Sequence, residues 1–372
     1  MVKLGISIIL LLVSLLTILP APAFYLWLLA IAAGEYPWIF IALVLVVIFI
    51  NFKTPAYQVP TSIISFAALL LFISPIARAY IVSARLNDNL SSAFGDQTVQ
   101  IGKPFAYQNL FKAKFTSAYK SFTYKKTDRT KLTLDFYPSL VEGKKPCVIV
   151  IHGGSWKSGD GKQLPELNSY LAEQGYHVAA INYRLAPAYQ NPAPVEDVRD
   201  ALHFLKEKSG ELNIDSTRFI LLGRSAGAQI ALLAGFTLQD PDVKGIIDFY
   251  GPADMVWGYS LPSNPLIMDS RKVMEDYLGG SYNSHPQNFE RSSPLLYVTK
   301  KSPPTLLIHG KNDVLVAYEH SRRLNIQLGK KHIKHFLLTL PWATHAFDYN
   351  LNGPGGQLST YAVLYFLKSV TN

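Results

Sequence analysis

One stretch decides the fold of this chain, Ile220-Leu-Leu-Gly-Arg-Ser-Ala-Gly-Ala-Gln-Ile-Ala-Leu-Leu-Ala234. It begins as a short apolar run, typical of a buried strand, and ends as an Ala- and Leu-rich run, typical of a helix. Between them, Gly223-Arg-Ser-Ala-Gly227 matches G-x-S-x-G at a strand-to-helix turn. Such a turn is so sharp that its flanking positions require glycine. The pattern predicts that Ser225 is a nucleophile exposed above the sheet, with the positive end of a helix beneath it.

Strand-like and helix-like runs alternate on both sides of this stretch. Predicted strands lie at residues 121–125, 132–137, 147–151, 177–182, 218–222, 245–250, 305–308 and 335–340. Predicted helices lie at about 163–174, 194–208, 225–238, 317–329 and 357–369. The first two strands alternate apolar and polar residues, which favours an antiparallel edge hairpin, whereas the continuous apolar runs favour parallel central strands. The sequence therefore predicts an α/β fold with a mostly parallel, eight-stranded sheet and helices on both faces.

Glycines follow the third predicted strand, at the sheet edge where parallel α/β folds place their sites. The sequence there is His152-Gly-Gly-Ser-Trp156. Ester cleavage develops an oxyanion, and glycines let backbone N–H groups come close to it. We expect the N–H groups of Gly153 and Gly154, with that of Ala226 after the nucleophile, to be the oxyanion donors.

An aspartate and a histidine follow the last two predicted strands. Asp313 comes after the seventh strand and His345 after the eighth. His345 is placed to take the Ser225 proton and return it to the leaving group, and Asp313 to orient the imidazole. His152 and His309 lie at the same edge, but each is followed by glycine and is interpreted as structural.

These motifs together resemble the α/β-hydrolase superfamily, and within it the esterases related to hormone-sensitive lipase and to bacterial feruloyl and acetyl esterase-like enzymes. Further matching motifs are Asn182-Tyr-Arg-Leu-Ala-Pro187, Pro194-Val-Glu-Asp-Val198, Ser293-Pro-Leu-Leu-Tyr-Val298 and His345-Ala-Phe347. The resemblance covers residues 117–372 and implies the same triad and oxyanion donors, acyl-enzyme hydrolysis of a carboxylic ester, and no metal or organic cofactor. Plant prenylcysteine methylesterases, which combine membrane spans with a similar domain, offer a parallel architecture.

Two residues near the nucleophile depart from the family pattern. Arg224 stands where many relatives carry an acidic or small residue, and Gln229 where histidine is frequent. Arg224 would either favour an anionic substrate or pair with a nearby carboxylate, and we predict that Arg224 and Trp156 bind substrate. Arg184 and Asp197 are interpreted as a structural ion pair.

An insertion at about residues 251–303, between the sixth and seventh strands, is predicted to form a small cap. Its large apolar residues would line an acyl or alcohol pocket or belong to the core, so they leave the substrate undefined. They are Trp257, Tyr259, Leu261, Met268, Met274 and Tyr277.

Residues 1–85 are predicted to be an all-α transmembrane region. Apolar runs extend over residues 4–33, 38–50 and 61–84. A span needs about 20 apolar residues, so we predict three spans, with two spans and a re-entrant middle run as the alternative. A signal peptide fits less well, because the first run is too long and two more follow.

The few charges of this region give only a weak orientation bias, which Arg78 and Arg85 reduce further. Three spans with the N-terminus inside would place Lys3 and Lys53 in the cytoplasm and Glu35 on the other side. The protein is therefore predicted to be integral to a cell or plasma membrane, with its catalytic domain outside the cytoplasm.

A basic, aromatic linker at residues 86–116 is predicted to join the two regions. Phe111, Phe115 and Tyr119 recur every four residues, which predicts a helix with an aromatic stripe. The basic residues are Lys112, Lys114, Lys120, Lys125, Lys126 and Arg129. This segment would either lie on anionic headgroups, or pack its aromatics on the catalytic domain and leave the lysines solvated.

Composition limits the partners. The net charge of +9 favours anionic membrane surfaces or solutes, and no nucleic-acid module is visible. An ester substrate, soluble or membrane-derived, and membrane lipid are the expected partners, and oligomeric state stays open. Two other functions remain open: an acyltransferase that uses the same triad, and a non-catalytic membrane receptor on a hydrolase scaffold.

Overall fold

A computed structural model describes residues 1–96, 102–127 and 130–371 and contains one eight-stranded sheet. The strands are β1 Lys120–Lys126, β2 Lys131–Tyr137, β3 Lys145–Ile151, β4 His177–Ile181, β5 Ile214–Arg224, β6 Val243–Phe249, β7 Thr305–Gly310 and β8 His335–Leu340. Their order is β1-β2-β4-β3-β5-β6-β7-β8. β1 and β2 form the antiparallel hairpin, β2 pairs antiparallel with β4, and all later pairs are parallel. The predicted fold class is confirmed.

Helices precede the sheet and intervene between its strands. They are α1 Val2–Ser14, α2 Phe24–Glu35, α3 Pro37–Phe52, α4 Gln58–Phe94, α5 Pro165–Glu173, α6 Ala193–Glu207, α7 Ala226–Thr237, α8 Met255–Ser260, α9 Ser270–Leu278, α10 Pro286–Arg291, α11 Glu319–Lys330 and α12 Pro354–Thr371. Short 3₁₀ turns lie at Leu15–Thr17, Tyr107–Phe111, Pro294–Tyr297 and Phe347–Tyr349.

The central strands are buried on both faces, which explains why they read as continuous apolar runs. In β3, Cys147 and Ile149 belong to the core that also contains residues of α6, α7 and α11. Val148 and Val150, which alternate with them, belong to the core shared with α4, α5 and α12. Successive side chains of a strand point to opposite faces, so the buried residues of β3, from Cys147 to Ile151, alternate between the two cores.

The N-terminal apolar region contains four helices and a 3₁₀ turn, and these do not correspond one to one with the three predicted spans. The run at residues 4–33 is interrupted by a 3₁₀ turn and by Pro20 and Pro22, because proline lacks the N–H that a continuing helix needs. α2 and α3 meet at a bend of 87°. Within the described ranges, one helix, α4, is long and apolar enough to cross a membrane, or two elements if the bent pair is one span. The number of spans stays a prediction.

α4 connects this region to the sheet. Near its middle, Phe72 stacks on Phe40 of α3 with ring centroids 4.9 Å apart. At its end, Phe94 packs edge-on against Phe366 of α12, again at 4.9 Å. One helix therefore belongs both to the apolar N-terminal bundle and to the core of the sheet domain.

The predicted helix in the basic linker is wrong. Between the 3₁₀ turn at Tyr107–Phe111 and β1 the chain forms no helix, because each aromatic side chain packs on a different partner. Phe111 contacts Trp38 of α3, Phe115 contacts Tyr170 of α5, and Tyr119 contacts Tyr137 of β2. Tertiary packing overrides the four-residue repeat. Of the basic residues, Lys114 pairs with Glu166 at 2.8 Å and Lys125 with Asp200 at 2.7 Å, while Arg129 lies outside the described residues.

Candidate active site

Ser225 occupies the turn between β5 and α7 with a strained backbone, at φ 53° and ψ −120°. Neither flanking glycine has room for a side chain. A Cβ at Gly223 would lie 2.2 Å from the carbonyl oxygen of Gly227, and one at Gly227 would lie 2.2 Å from that of Ile151. The chain therefore approaches itself closely enough to hold the serine out of the helix, and Ser225 is partly exposed.

His345 and Asp313 meet at the carboxyl edge of β7 and β8. His345 Nδ1 lies 2.7 Å from Asp313 Oδ2. The other carboxylate oxygen accepts the backbone N–H groups of Leu315 and Val316, each at 2.9 Å. The carboxylate is fully buried, and these bonds fix its direction toward the imidazole.

Asp313 is held in its ionised form. Burial alone would raise the pKa of the Asp313 carboxyl, but His345 and then His309 outweigh burial and hold that pKa well below its usual value. His309 Nε2 lies 3.2 Å from Asp313 Oδ2, and its Nδ1 lies 2.7 Å from Ser321 Oγ. His309 therefore helps to hold Asp313 in place, which agrees with its interpretation as a structural residue.

Ser225 and His345 border the same cavity. Among the described residues, no hydrogen bond joins Ser225 Oγ to the imidazole, and the two groups face a shared open space. Bonds of this kind are often long in unliganded sites and shorten when substrate binds.

The predicted oxyanion donors differ in their availability. Gly153 N–H donates to the side-chain oxygen of Gln163 at 2.7 Å, so this amide is already engaged, and its role as an oxyanion donor stays a prediction. The N–H groups of Gly154 and Ala226 have no acceptor among the described residues, and both residues border the space around Ser225. Gln163 belongs to no recognised motif in the sequence. Its contact with the Gly153 N–H is seen only in the structure, where its loop lies close to Gly153.

Arg224 is buried beside Ser225 and pairs with a carboxylate. Its Nε lies 2.5 Å from Asp348 Oδ2, and the hydroxyl of Tyr250 bonds to the other oxygen of the same carboxylate. Nη1 and Nη2 of Arg224 are enclosed, with no partner among the described residues. Of the two alternatives for Arg224, the structure contains the pairing with a carboxylate. Binding of substrate by Arg224 stays a prediction.

Trp156 is held under the cap. Its ring stacks on Tyr277 of α9 at 4.5 Å, and its indole N–H donates to Gln229 Oε1 at 2.9 Å. Gln229 also donates to the carbonyl of Ser292, so it links α7, the helix after Ser225, to the cap. Trp156 borders one of the cavities at Ser225, which is compatible with its predicted role in substrate binding.

Two cavities meet at Ser225. The cap cavity, of about 120 Å³, lies under the predicted cap, which consists of α8, α9, α10 and the turn at Pro294–Tyr297. Leu261, Met268 and Met274 border it as predicted, whereas Trp257, Tyr259 and Tyr277 are not among its bordering residues.

The α2 cavity, of about 390 Å³, also reaches Ser225 and His345. Phe24 and Trp27 of α2 border it, and the Trp27 indole N–H donates to the His345 carbonyl at 3.1 Å. Neither residue could be recognised from the sequence, because an aromatic residue inside an apolar run carries no local sign that it lies beside His345. Within the described ranges, no cluster of three or more His, Cys, Asp or Glu residues is arranged to hold a metal ion.

A mostly parallel eight-stranded sheet with G-x-S-x-G between a central strand and its helix, and with aspartate and histidine after the last two strands, defines an α/β-hydrolase. The chain belongs to the BD-FAE family, whose sequence profile matches residues 134–328.

Similar curated proteins include esterases. Esterase LipC of Mycobacterium tuberculosis is 30% identical over 60% of this chain and 58% of its own length. The isoprenylcysteine alpha-carbonyl methylesterase ICME of Arabidopsis thaliana is 27% identical over 61% of this chain and 56% of its own. The chain thus spans little more than half the length of these relatives.

Solved structures share the fold. An acetyl ester-xyloside bifunctional hydrolase from Caldicellulosiruptor lactoaceticus superposes with a TM-score of 0.54, at 23% identity, over 62% of this chain and 89% of that chain. A solved arylesterase gives a TM-score of 0.57, at 17% identity, over 77% of this chain and 90% of its own.

Proposed function

We propose that this chain is a membrane-anchored serine hydrolase that cleaves carboxylic esters. The observation that carries the proposal is the 2.7 Å contact between His345 Nδ1 and the buried Asp313 carboxylate, together with the cavity that His345 and Ser225 both border. A structural aspartate–histidine pair would not need an adjacent serine in a strained turn. The esterases among the curated relatives support the same activity.

The proposed chemistry follows from these positions. Ser225 Oγ attacks the ester carbonyl while His345 Nε2 takes its proton. Asp313 keeps the proton on His345 Nδ1 and stabilises the imidazolium that forms. His345 then gives its proton to the departing alcohol, and a water molecule repeats the sequence on the acyl-enzyme.

The oxyanion is proposed to bind the N–H groups of Gly154 and Ala226. Both are free of other acceptors among the described residues, and Ala226 begins α7, so the positive end of that helix adds to the attraction. Gly153 N–H would join them only after Gln163 moves away.

The N-terminal region, residues 1–85, is proposed to anchor the enzyme, and residues 117–372 to form its catalytic domain. Lys3 Nζ bonds to Thr54 Oγ1 at 2.8 Å, so the lysines near the start of α1 and the end of α3 share one end of the bundle. Glu35 instead accepts N–H groups of Gly355 and Gly356 in the catalytic domain. The positive end lies away from that domain, which supports an extracytoplasmic catalytic domain.

Hydrolysis of p-nitrophenyl acetate by the full chain tests the activity. Ser225→Ala should abolish turnover, whereas Ser284→Ala, on the exposed cap surface, should retain it. Unchanged turnover in Ser225→Ala would rule out this site.

Labelling of an introduced cysteine tests the orientation. The single native cysteine, Cys147, is fully buried, so Ser284→Cys would supply the one reactive thiol. A membrane-impermeant maleimide should label it in intact cells. Labelling only after permeabilisation would place the catalytic domain in the cytoplasm.

A further inference from the structure

His345 distinguishes the two cavities at Ser225. It borders the α2 cavity and is not among the described residues that border the cap cavity. Ser225, Ser155, Met268 and Leu315 border both, so an ester bound at Ser225 can extend into each.

The position of His345 determines which half of the ester lies in which cavity. This assignment rests on the proposed function. In acylation, the bond from Ser225 Oγ to the acyl carbon forms and the bond from that carbon to the alcohol oxygen breaks. The Ser225 proton passes through His345 to the alcohol oxygen, so the imidazole must lie beside that oxygen. The alcohol half therefore lies in the α2 cavity, and the acyl half lies in the cap cavity.

The cap cavity is small, and its mainly apolar walls also carry Ser263, Ser270 and Asp313. Val273 and Met274 of α9 border it, together with His320 of α11. Burial lowers the pKa of His320 to about 3, so this imidazole is neutral and offers no charge to a ligand. A space of about 120 Å³ with such walls suits a short, uncharged acyl group.

The α2 cavity is about three times larger, at about 390 Å³. Phe24, Trp27 and Ile267 give it apolar walls. The wall continues outward onto exposed side chains, with Leu266 of the cap 71% exposed and Tyr349 58% exposed. The backbone N–H of Phe24 donates to the carbonyl of Leu266 at 3.1 Å, so α2 and the cap form one continuous rim.

We propose that the substrate is a short-chain acyl ester of a bulky apolar alcohol, with the acyl group under the cap and the alcohol between α2 and the catalytic domain. The N-terminal segment then supplies part of the specificity as well as the anchor.

Two series of esters, presented to the full chain in phospholipid nanodiscs, separate the two halves. With the acyl group fixed as acetyl, dodecyl acetate should exceed ethyl acetate in kcat/KM by at least about tenfold, since added methylenes are bound by apolar walls. With the alcohol fixed as p-nitrophenol, kcat/KM for the acetyl ester should exceed kcat/KM for the octanoyl ester by a similar factor.

Variants locate each preference. Phe24→Ala should lower the dodecyl-to-ethyl ratio of kcat/KM by about tenfold. Tyr25→Ala is the matched control, because Tyr25 lies on the same helix, is 82% exposed and does not border the cavity, and it should leave the ratio unchanged. Met274→Ala should widen the cap cavity and raise the octanoyl-to-acetyl ratio.

Failure of the cavity assignment can be distinguished from failure of the proposed function with a fluorophosphonate, which reports whether Ser225 is reactive in each variant. A reactive Ser225 combined with a preference for octanoyl esters and short alcohols would overturn the assignment alone. An unreactive Ser225 with no ester hydrolysed would overturn both the proposed function and this inference.

Discussion

Trp27 of α2 donates its indole N–H to the backbone carbonyl of His345 at 3.1 Å, and the two rings lie 6.5 Å apart. These residues are separated by almost the whole chain. The contact joins the apolar N-terminal region to the residue that we propose as the general base. It makes α2 a wall of the proposed active site as well as part of the proposed anchor.

Trp27→Phe keeps an aromatic ring but removes this hydrogen bond. We expect kcat for p-nitrophenyl acetate to fall about fivefold, since one hydrogen bond is worth about 1 kcal/mol and here positions the base. KM should change less. Trp38→Phe is the matched control, because the Trp38 indole N–H is buried without an acceptor among the described residues. Equal losses in both variants would show that Trp27 only fills space.

Gln163→Glu tests the oxyanion site. The glutamate can still accept Gly153 N–H, but it brings a negative charge beside the developing oxyanion. We expect kcat to fall by about 10²-fold, the usual scale of oxyanion-hole defects, with little change in KM. Gln174→Glu, on the exposed surface after α5, should leave kcat unchanged. If kcat in Gln163→Glu stays at the wild-type value, the oxyanion does not form near Gly153.

Arg224→Met tests whether the arginine is structural. The variant leaves the Asp348 carboxylate buried with only Tyr250 beside it, which should cost about 3–5 kcal/mol and lower the thermal unfolding midpoint. Adding Asp348→Asn removes the buried charge and should restore part of the loss. The opposite pattern, an unchanged midpoint with KM raised for anionic esters only, would assign Arg224 to substrate.

Asp248 at the end of β6 should make stability depend on pH. Burial raises the pKa of its carboxyl to about 7, although Gly251 N–H donates to it at 2.7 Å. In the unfolded chain the pKa of an aspartate carboxyl is about 3.9. As pH rises, the unfolded chain therefore releases this proton at a lower pH than the folded protein does. Stability should therefore fall as pH rises from about 4 to 7, by on the order of a few kcal/mol.

Asp248→Asn removes that titration. The difference in unfolding midpoint, variant minus wild type, should become more positive between pH 5 and pH 8. A difference that stays constant over this range would mean that Asp248 does not carry the proton.

The sheet was predictable because its strands are buried on both faces or alternate clearly, so local pattern and tertiary environment agree. The turn at Ser225 was predictable for a similar reason, since its glycines are required by contacts within one short segment. The residues placed in the proposed triad follow strand ends, where topology alone brings them to one edge.

The contacts that escaped prediction are made between distant segments. The N–H of Gly153 is engaged by Gln163, and the carbonyl of His345 by Trp27, and neither partner belongs to a motif. The four-residue spacing of Phe111, Phe115 and Tyr119 predicted a helix wrongly, because the three side chains pack on three separate aromatic partners. The spacing of residues along the sequence does not determine which distant surface each side chain packs against.

The most direct test of the central claim is covalent capture of the nucleophile. The full chain is treated with a fluorophosphonate and the modified residue is identified by peptide mass spectrometry. We expect one adduct, on Ser225, that is lost in Ser225→Ala and formed far more slowly in His345→Ala. An adduct on a different serine, or equal labelling in His345→Ala, would contradict it.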